Sequence, residues 1–363
     1  MPLPPLHAVD PSRFERADVL KRLNAASRAL AELKGVAASI PNQNILINTL
    51  TLQEARDSSA IENIVTTQDD LYREDNPADA TGTAVKEVLR YRQALQTGFA
   101  QTRDTGLLTL NTILDIQQQL ECNRAGLRKL PGTALRDGGG RLVYEPPQDA
   151  NDVARLMGEL EHFIHDQPAY PVDPLVKMAL IHHQFESIHP FYDGNGRTGR
   201  IINVLYLVKE GLLDIPVLYL SRHIVRTKPD YYRLLQAVRD ADAWEEWVLY
   251  MLDAVANTAR ETIGTIQAIT ALLQQTKQRV RDGYRFYSQD LINNLFNHPY
   301  TRVEFVQRDL GVSRLTATRY LDSLARDGLL EKHRVGRNNY YINRPLFVLL
   351  SRGAPASEGA QRL

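Results

Sequence analysis

The sequence predicts a mainly α-helical protein of two or three domains, and three observations carry that expectation. Apolar residues recur at helical spacing through most of the chain. Alternating β-branched runs are few. A length of 363 residues exceeds what one ordinary core supports. Charge narrows the function classes: 43 Lys and Arg balance 43 Asp and Glu, so nothing global draws the chain to nucleic acid or anionic membrane, and any basic surface must be local. A single cysteine, Cys122, excludes an intramolecular disulfide, and the first twenty residues lack both a basic n-region and a continuous apolar h-region. The chain therefore reads as cytoplasmic. Its most apolar segments, "IINVLYLV" and "DPLVKMALIHH", fall far short of the roughly 20 residues of a membrane span, so a soluble protein with no membrane partner is expected.

In order, a Pro-rich lead precedes a helix over Ala17–Ala38, and a second helical region follows Pro41 and Asn42 and runs to about residue 65. A polar interval containing Pro77 and Gly82 separates these from helices near 84–101 and 109–119. The clearest non-helical segment comes next. In it "RDGGGR", between "TAL" and "LVYE", is a hairpin signal. Asp173 as N-cap and Pro174 at the first helical position open a buried helix that must end at Pro190. The run "RTGRIINVLYLVKEGLL" is apolar nearly all round and stops at Gly211, which predicts a central helix packed on several sides. A long connecting helix is expected from about Ala254. Residues 301–342 then read as a helix, a turn at 311–313, a second helix and a strand pair turning near Gly336, and the last dozen residues as a disordered tail.

The chemistry concentrates in "SIHPFYDGNGRTGRIINVLYLV". Gly194, Asn195 and Gly196 permit strained backbone leading straight into a helix, where successive amides and the helix dipole make an anion site suited to phosphate. Arg197 and Arg200 lie on one side of the first turn, where the dipole opposes cations; a polyphosphate between amides and guanidiniums explains that breach of the local rule. Asp193 is a hard oxygen ligand suited to Mg²⁺, and His189 has an ordinary pKa fit for taking a proton from a hydroxyl. Each residue alone is commonplace, as a helix-end histidine, an ordinary turn or solvated arginines. Together within a dozen residues they require a common cause. A zinc site from His182, His189 and Asp193 fits less well, because two arginines and a glycine nest favour an anion.

Residues His189, Pro190, Phe191, Asp193, Gly194, Asn195, Gly196, Arg197 and Arg200 match every fixed position of HPFxDGNGRxxR, and the chain resembles the Fic (Fido) family. The resemblance implies a Fic-type helical core with a β-hairpin flap, transferring AMP from ATP with Mg²⁺ to a Ser, Thr or Tyr hydroxyl of a target protein, the chain itself included. By position it implies His189 as general base, Asp193 as Mg²⁺ ligand, and ATP held by Gly194, Asn195, Gly196, Arg197, Thr198, Gly199 and Arg200. Arg200 would grip the γ-phosphate. Tyr231 and Tyr232 stand where similar proteins line the nucleotide pocket, although core packing is the commoner explanation for at least one of them. The hairpin at 130–147 resembles the flap on which a target protein docks as an added strand.

Upstream, Ser58, Glu62 and Asn63 match the inhibitory pattern [S/T]xxxE[G/N], which implies that Glu62 pairs with Arg200 and competes with ATP. The same glutamate is expected to orient a water for removal of AMP. The C-terminal module resembles a winged helix-turn-helix. Nine Lys or Arg stand against five Asp or Glu between Thr301 and Arg344, too small an excess to separate DNA binding from protein contact. Arg314, Thr316, Thr318 and Arg319 would lie on its recognition helix, and Arg334 and Arg337 on its wing. The expected order is an N-terminal helical region at 1–107 with the inhibitory motif at 58–63, a catalytic core at 108–250, connecting helices at 251–290, the winged module at 291–351 and a tail at 352–363. A nucleotide-sensing DNA-binding regulator and a Fic protein using another donor stay open, as does the oligomeric state, a homodimer included.

Overall fold

The structure, a computed structural model, describes residues 3–73, 80, 82–166, 169–335 and 338–352. Two short 3₁₀ turns, Leu6–Ala8 and Pro11–Phe14, lead into α1 (Ala17–Ala38). There follow α2 (Asn44–Ile61), α3 (Gln68–Arg73), α4 (Thr83–Thr105) and α5 (Leu110–Glu121). Strands β1 (Leu135–Arg136) and β2 (Leu142–Tyr144) form the expected hairpin. Its turn is built by Asp137, whose Oδ1 accepts from the amides of Gly139 (3.0 Å) and Arg141 (2.9 Å), with Gly140 at φ +80°.

The core continues through α6 (Ala150–His165), α7 (Pro174–Ile188), α8 (Asn195–Lys209), α9 (Leu220–Arg226), α10 (Lys228–Ala241) and α11 (Trp244–Gly283). Asp173 caps α7 through Leu175 N (2.8 Å), with Pro174 in the first turn as expected. Both α7 and α8 are buried almost throughout, which explains their weak amphipathic pattern. Trp247 Nε1 donates to the Ala179 carbonyl (2.8 Å) and ties α11 to α7. Close approach of α4 to α5 and α8 needs Gly98: a Cβ there would stand 2.6 Å from Leu205 Cδ1 and 2.8 Å from Ile116 Cδ1.

Two expectations change. The connecting helix begins at Trp244 rather than near Ala254 and runs 40 residues, crossing the boundary set at 250. Helices α6 and α9 were not foreseen. Their apolar positions are interrupted by His and charged residues, and tertiary burial of Leu156, Leu160, Phe163 and Ile224 supplies the helix-forming contacts. The interval around Pro77 falls mostly outside the described residues, as do Gly336, Arg337 and the tail beyond Arg352.

The C-terminal module comprises α12 (Gln289–Asn297), β3 (Tyr300–Thr301), α13 (Val303–Leu310), α14 (Arg314–Arg326), β4 (Glu331–Val335), β5 (Asn338–Ile342) and α15 (Arg344–Arg352), with antiparallel sheet order β3-β5-β4. It docks on the helical core. Gln53 Nε2 of α2 donates to the Leu350 carbonyl (2.6 Å), and Tyr72 stacks on Tyr300 with centroids 6.1 Å apart. Among the described residues, no helix is long and apolar enough to cross a membrane.

Candidate active site

The sequence between α7 and α8 folds into a loop locked by two side chains. His189 ends α7 at φ +49°, and Gly194 opens α8 at φ +76°. Asn195 closes the loop: its Oδ1 accepts from Phe191 N and its Nδ2 donates to Phe191 O, both at 2.9 Å, while Phe191 is buried in the core. The first helical bond of α8 runs from Thr198 N to Gly194 O (2.9 Å), so the amides of Asn195, Gly196 and Arg197 precede the helical ladder. Three successive amides at the start of α8 are thus outside the helical ladder, as an anion site would require.

Both arginines are buried and both face Glu62. Glu62 Oε1 lies 2.7 Å from Arg200 Nη2, and Oε2 lies 2.7 Å from Arg197 Nε. The pairing expected with Arg200 alone is thus a bridge across the two guanidiniums. Burial works against the charge of Arg200, but Glu62 together with Tyr231, Tyr91 and Glu186 outweighs it and holds its pKa above the ordinary value. Ser58, one turn before Glu62, accepts from Arg200 through its hydroxyl (2.7 Å) and its carbonyl (3.0 Å). Glu54, a further turn back, accepts from Tyr91 OH (3.1 Å) and the Ser221 hydroxyl, so one face of α2 is fastened to α4 and α9 as well as to the site.

Asn63 explains the residue type that follows the glutamate. It sits at φ +64°, just past the end of α2, and Ile64 N reaches back to the Ser59 carbonyl (3.0 Å). Asn or Gly takes that left-handed position at little strain, and the reversal sends Glu62 toward α8.

Arg197 collects more than Glu62. Glu121 Oε1 of α5 stands 2.9 Å from its Nη2, Glu87 Oε2 of α4 3.3 Å from Nη1, and Asp193 Oδ1 3.7 Å from Nη2. The sequence reading missed Glu87 and Glu121, which carry no local signal. Asp193 keeps its side chain 75% exposed, with Oδ1 accepting from Gly194 N (2.7 Å). One exposed carboxylate at the mouth of a phosphate nest fits Mg²⁺, which takes one or two protein carboxylates together with phosphate oxygens.

His189 sits mostly buried, its Nδ1 without a hydrogen-bond partner. Burial lowers its pKa to about 4, assisted by the guanidiniums of Arg128 and Arg239. The ordinary pKa expected from sequence is therefore corrected, and the imidazole is neutral at pH 7. Arg128, also missed, holds this turn: its Nε donates to the His189 carbonyl (2.8 Å) and its Nη2 to the carbonyl of Pro147 at the base of the hairpin.

Other expected site residues divide. Thr198 is fully buried, and Gly199 packs against α7, where a Cβ would meet Glu186 Oε1 at 2.8 Å. Tyr231, expected to line the pocket, is 2% exposed and is instead a core residue bonded to His182 Nε2 (2.9 Å). That bond and full burial also remove His182 from any zinc site, and among the described residues no cluster of three metal-ligating side chains exists. Tyr232 is 48% exposed and packs edge-on against Tyr231. On α14, Arg314 and Arg319 are exposed, whereas Thr318 donates its hydroxyl proton to the Arg314 carbonyl (2.8 Å) and Thr316 bonds the Ser313 cap (3.0 Å).

Three family models match this chain. The family model described as "Fic/DOC family" matches residues 107–207, "Fic/DOC family N-terminal" matches 20–100, and "Protein adenylyltransferase SoFic-like, C-terminal domain" matches 272–346. Among curated relatives, "Protein adenylyltransferase Fic" of Drosophila mojavensis is 24% identical over 247 residues, 67% of this chain and 45% of its own length. Its namesake from Aedes aegypti is 26% identical over 151 residues, 42% of this chain and 28% of its own. The chain thus spans less than half the length of these relatives. The fold resembles a Fic family protein from Desulfovibrio desulfuricans G20 (TM-score 0.54, 22% identity, 88% of this chain and 95% of that one). It likewise resembles Fic-1 of C. elegans (TM-score 0.54, 18% identity, 69% and 74%).

Proposed function

This chain belongs to the Fic/DOC family, and on that premise we propose that it is a protein adenylyltransferase restrained by its own Glu62. The observation that supports the proposal is a carboxylate bridging two buried arginines. Glu62 bridges Arg197 and Arg200, each at 2.7 Å, beside the amide array of α8. An internal anion filling an anion site implies an external anion that competes for it.

In the proposed reaction a target hydroxyl gives its proton to His189 and its oxygen attacks the α-phosphorus of ATP. The bond to the β-phosphate breaks, pyrophosphate leaves, and the target carries AMP. His189, neutral at pH 7, is the group proposed to accept that proton. The amides of residues 195–197 and the arginines would hold the phosphates in line, so positioning and charge neutralisation do most of the catalytic work. Asp193 would hold Mg²⁺, which supplies charge neutralisation at the phosphates. The target docks along the hairpin 130–147, whose Leu130, Leu142 and Val143 are exposed. With Glu62 in place ATP binds without its γ-phosphate seated on Arg200, and the same carboxylate orients a water for removal of AMP. That relatives bear the name protein adenylyltransferase supports this reading.

Labelled ATP separates the donor readings. Label at the α-phosphate but not the γ-phosphate should enter protein with Glu62→Gly, and not when His189 is also changed to Ala; transfer of γ-label would refute AMP transfer.

A second reading concerns the winged module. Leu315 of α14 is 81% exposed, Arg314 and Arg319 are exposed beside it, and every residue of β4 is exposed, so a partner, duplex DNA or protein, would meet this face.

A further inference from the structure

Glu62 restrains the site only while its segment stays seated on α8, and the contacts that seat that segment reach beyond the catalytic core. Gln53 precedes Glu62 on α2, and Gln68 follows it at the start of α3. Both side chains turn to one acceptor on the C-terminal module: Gln53 Nε2 donates to the Leu350 carbonyl at 2.6 Å, and Gln68 Nε2 donates to the same oxygen at 3.3 Å. Leu350 stands in the last turn of α15, where helical carbonyls need partners from outside the helix. Gln53 is buried, so losing its bond would leave a buried donor unpaired.

Helix α3 adds two further holds. Asp69 Oδ1 accepts from the hydroxyl of Tyr300 on β3. The Tyr72 ring stacks on Tyr300 and meets Phe347 of α15 edge-on, with centroids 6.1 and 6.0 Å away. The chain from Gln53 to Tyr72 is therefore pinned to the winged module on both sides of Glu62, while Ser58 and Glu62 between those pins hold Arg200. A segment already fixed at both flanks gives up less conformational freedom when its middle binds, so the flanking contacts strengthen the grip of Glu62.

We propose that the winged module is a clamp on the inhibitory segment, and that the hold of Glu62 on Arg197 and Arg200 depends on the module's docking. The inference rests on the autoinhibited adenylyltransferase reading above. Each of these clamping contacts joins residues 53–72 to the winged module and none includes a residue of 189–200, so the clamp acts on the reaction through Glu62.

The test is initial-rate incorporation of α-labelled ATP, with Mg²⁺, into the full chain carrying Gln53→Met and Gln68→Met, with Glu62 present and with Glu62→Gly. Methionine keeps the bulk of each side chain and removes both donors. With Glu62 present the rate should rise about tenfold, as the loss of two neutral hydrogen bonds allows. In the Glu62→Gly background the same pair should change the rate by less than about twofold, because no carboxylate is left to clamp. Tyr300→Phe, which takes the hydroxyl from Asp69 and leaves the stacked ring, should raise the rate about threefold by the same logic, and it decides the matter if the methionine pair does not fold. An unchanged or lower rate with Glu62 present overturns the clamp. So does an equal rise in both backgrounds, which would place the effect outside Glu62. Absence of AMP incorporation in Glu62→Gly itself would overturn the adenylyltransferase reading, and this inference with it.

Discussion

Replacing Glu62 by Gly removes the bridge between the two arginines and leaves each with other partners. Arg200 keeps both contacts to Ser58, and Arg197 keeps Glu121 and Glu87. The lost interactions are two charge-assisted hydrogen bonds of 2.7 Å. Each is worth roughly 1.5–3 kcal/mol, and because the Glu62 side chain is a quarter exposed the lower end applies, giving about 3 kcal/mol for the pair. If that is the energy with which Glu62 outcompetes the γ-phosphate, its removal should raise AMP incorporation about 100-fold, at about 1.4 kcal/mol per tenfold. The fold should lose about 3 kcal/mol, the energy of the two lost bonds, and the melting temperature should drop by several degrees. The assay is initial-rate incorporation of α-labelled ATP at saturating nucleotide, with calorimetry to verify that both proteins bind ATP. Equal rates from two proteins that both bind ATP would refute the competition. A collapse of stability would refute the claim that the arginines retain adequate partners.

Other predictions address separate links. The His189 imidazole, followed by NMR, should titrate near pH 4, and a midpoint at the ordinary value near 6.5 would contradict the buried, arginine-flanked setting. With the folded pKa depressed, this group's stabilising contribution is complete above pH 6.5 and is lost as pH falls through 4. Gly98→Ala should destabilise by about 1–3 kcal/mol through overpacking against Leu205 and Ile116, measured by urea unfolding; an unchanged midpoint would mean α4 can move aside. Duplex DNA, if the winged module binds it, should shift in a mobility assay at low salt and release as salt rises; absence of any shift at low salt excludes DNA as the partner.

Local chemistry made much of the site legible. The order His, Asp, Gly-Asn-Gly, Arg, Arg is contiguous, and each residue's contribution to an anion site follows from its own backbone freedom or charge. Asn63 entered only through the motif, and its left-handed position at the end of α2 emerges from the fold. What escaped was whatever depends on helices distant in sequence meeting in space. Glu87, Glu121 and Arg128 are ordinary residues in their own segments, and only packing of α4, α5 and the hairpin base against α8 and the His189 turn gives them partners. The pKa of His189 belongs to the same class, since burial and two remote arginines set it. Tyr231 and Tyr232 show the limit most sharply. Neighbours in sequence, one faces the core and the other solvent, and helical phase alone could not say which. The fold divides likewise: capping at Asp173 predicted the start of α7, whereas the start of α11 depends on Trp247 seating against Ala179.

The central claim is that an internal carboxylate restrains AMP transfer driven by His189. Intact-mass analysis of the full chain incubated with Mg²⁺ and ATP tests it most directly, comparing wild type, Glu62→Gly and Glu62→Gly/His189→Ala. The account predicts a gain of one or more AMP groups on hydroxyl side chains in Glu62→Gly, little in wild type and none in the double variant. An equal gain in all three proteins, or none in Glu62→Gly, would contradict it.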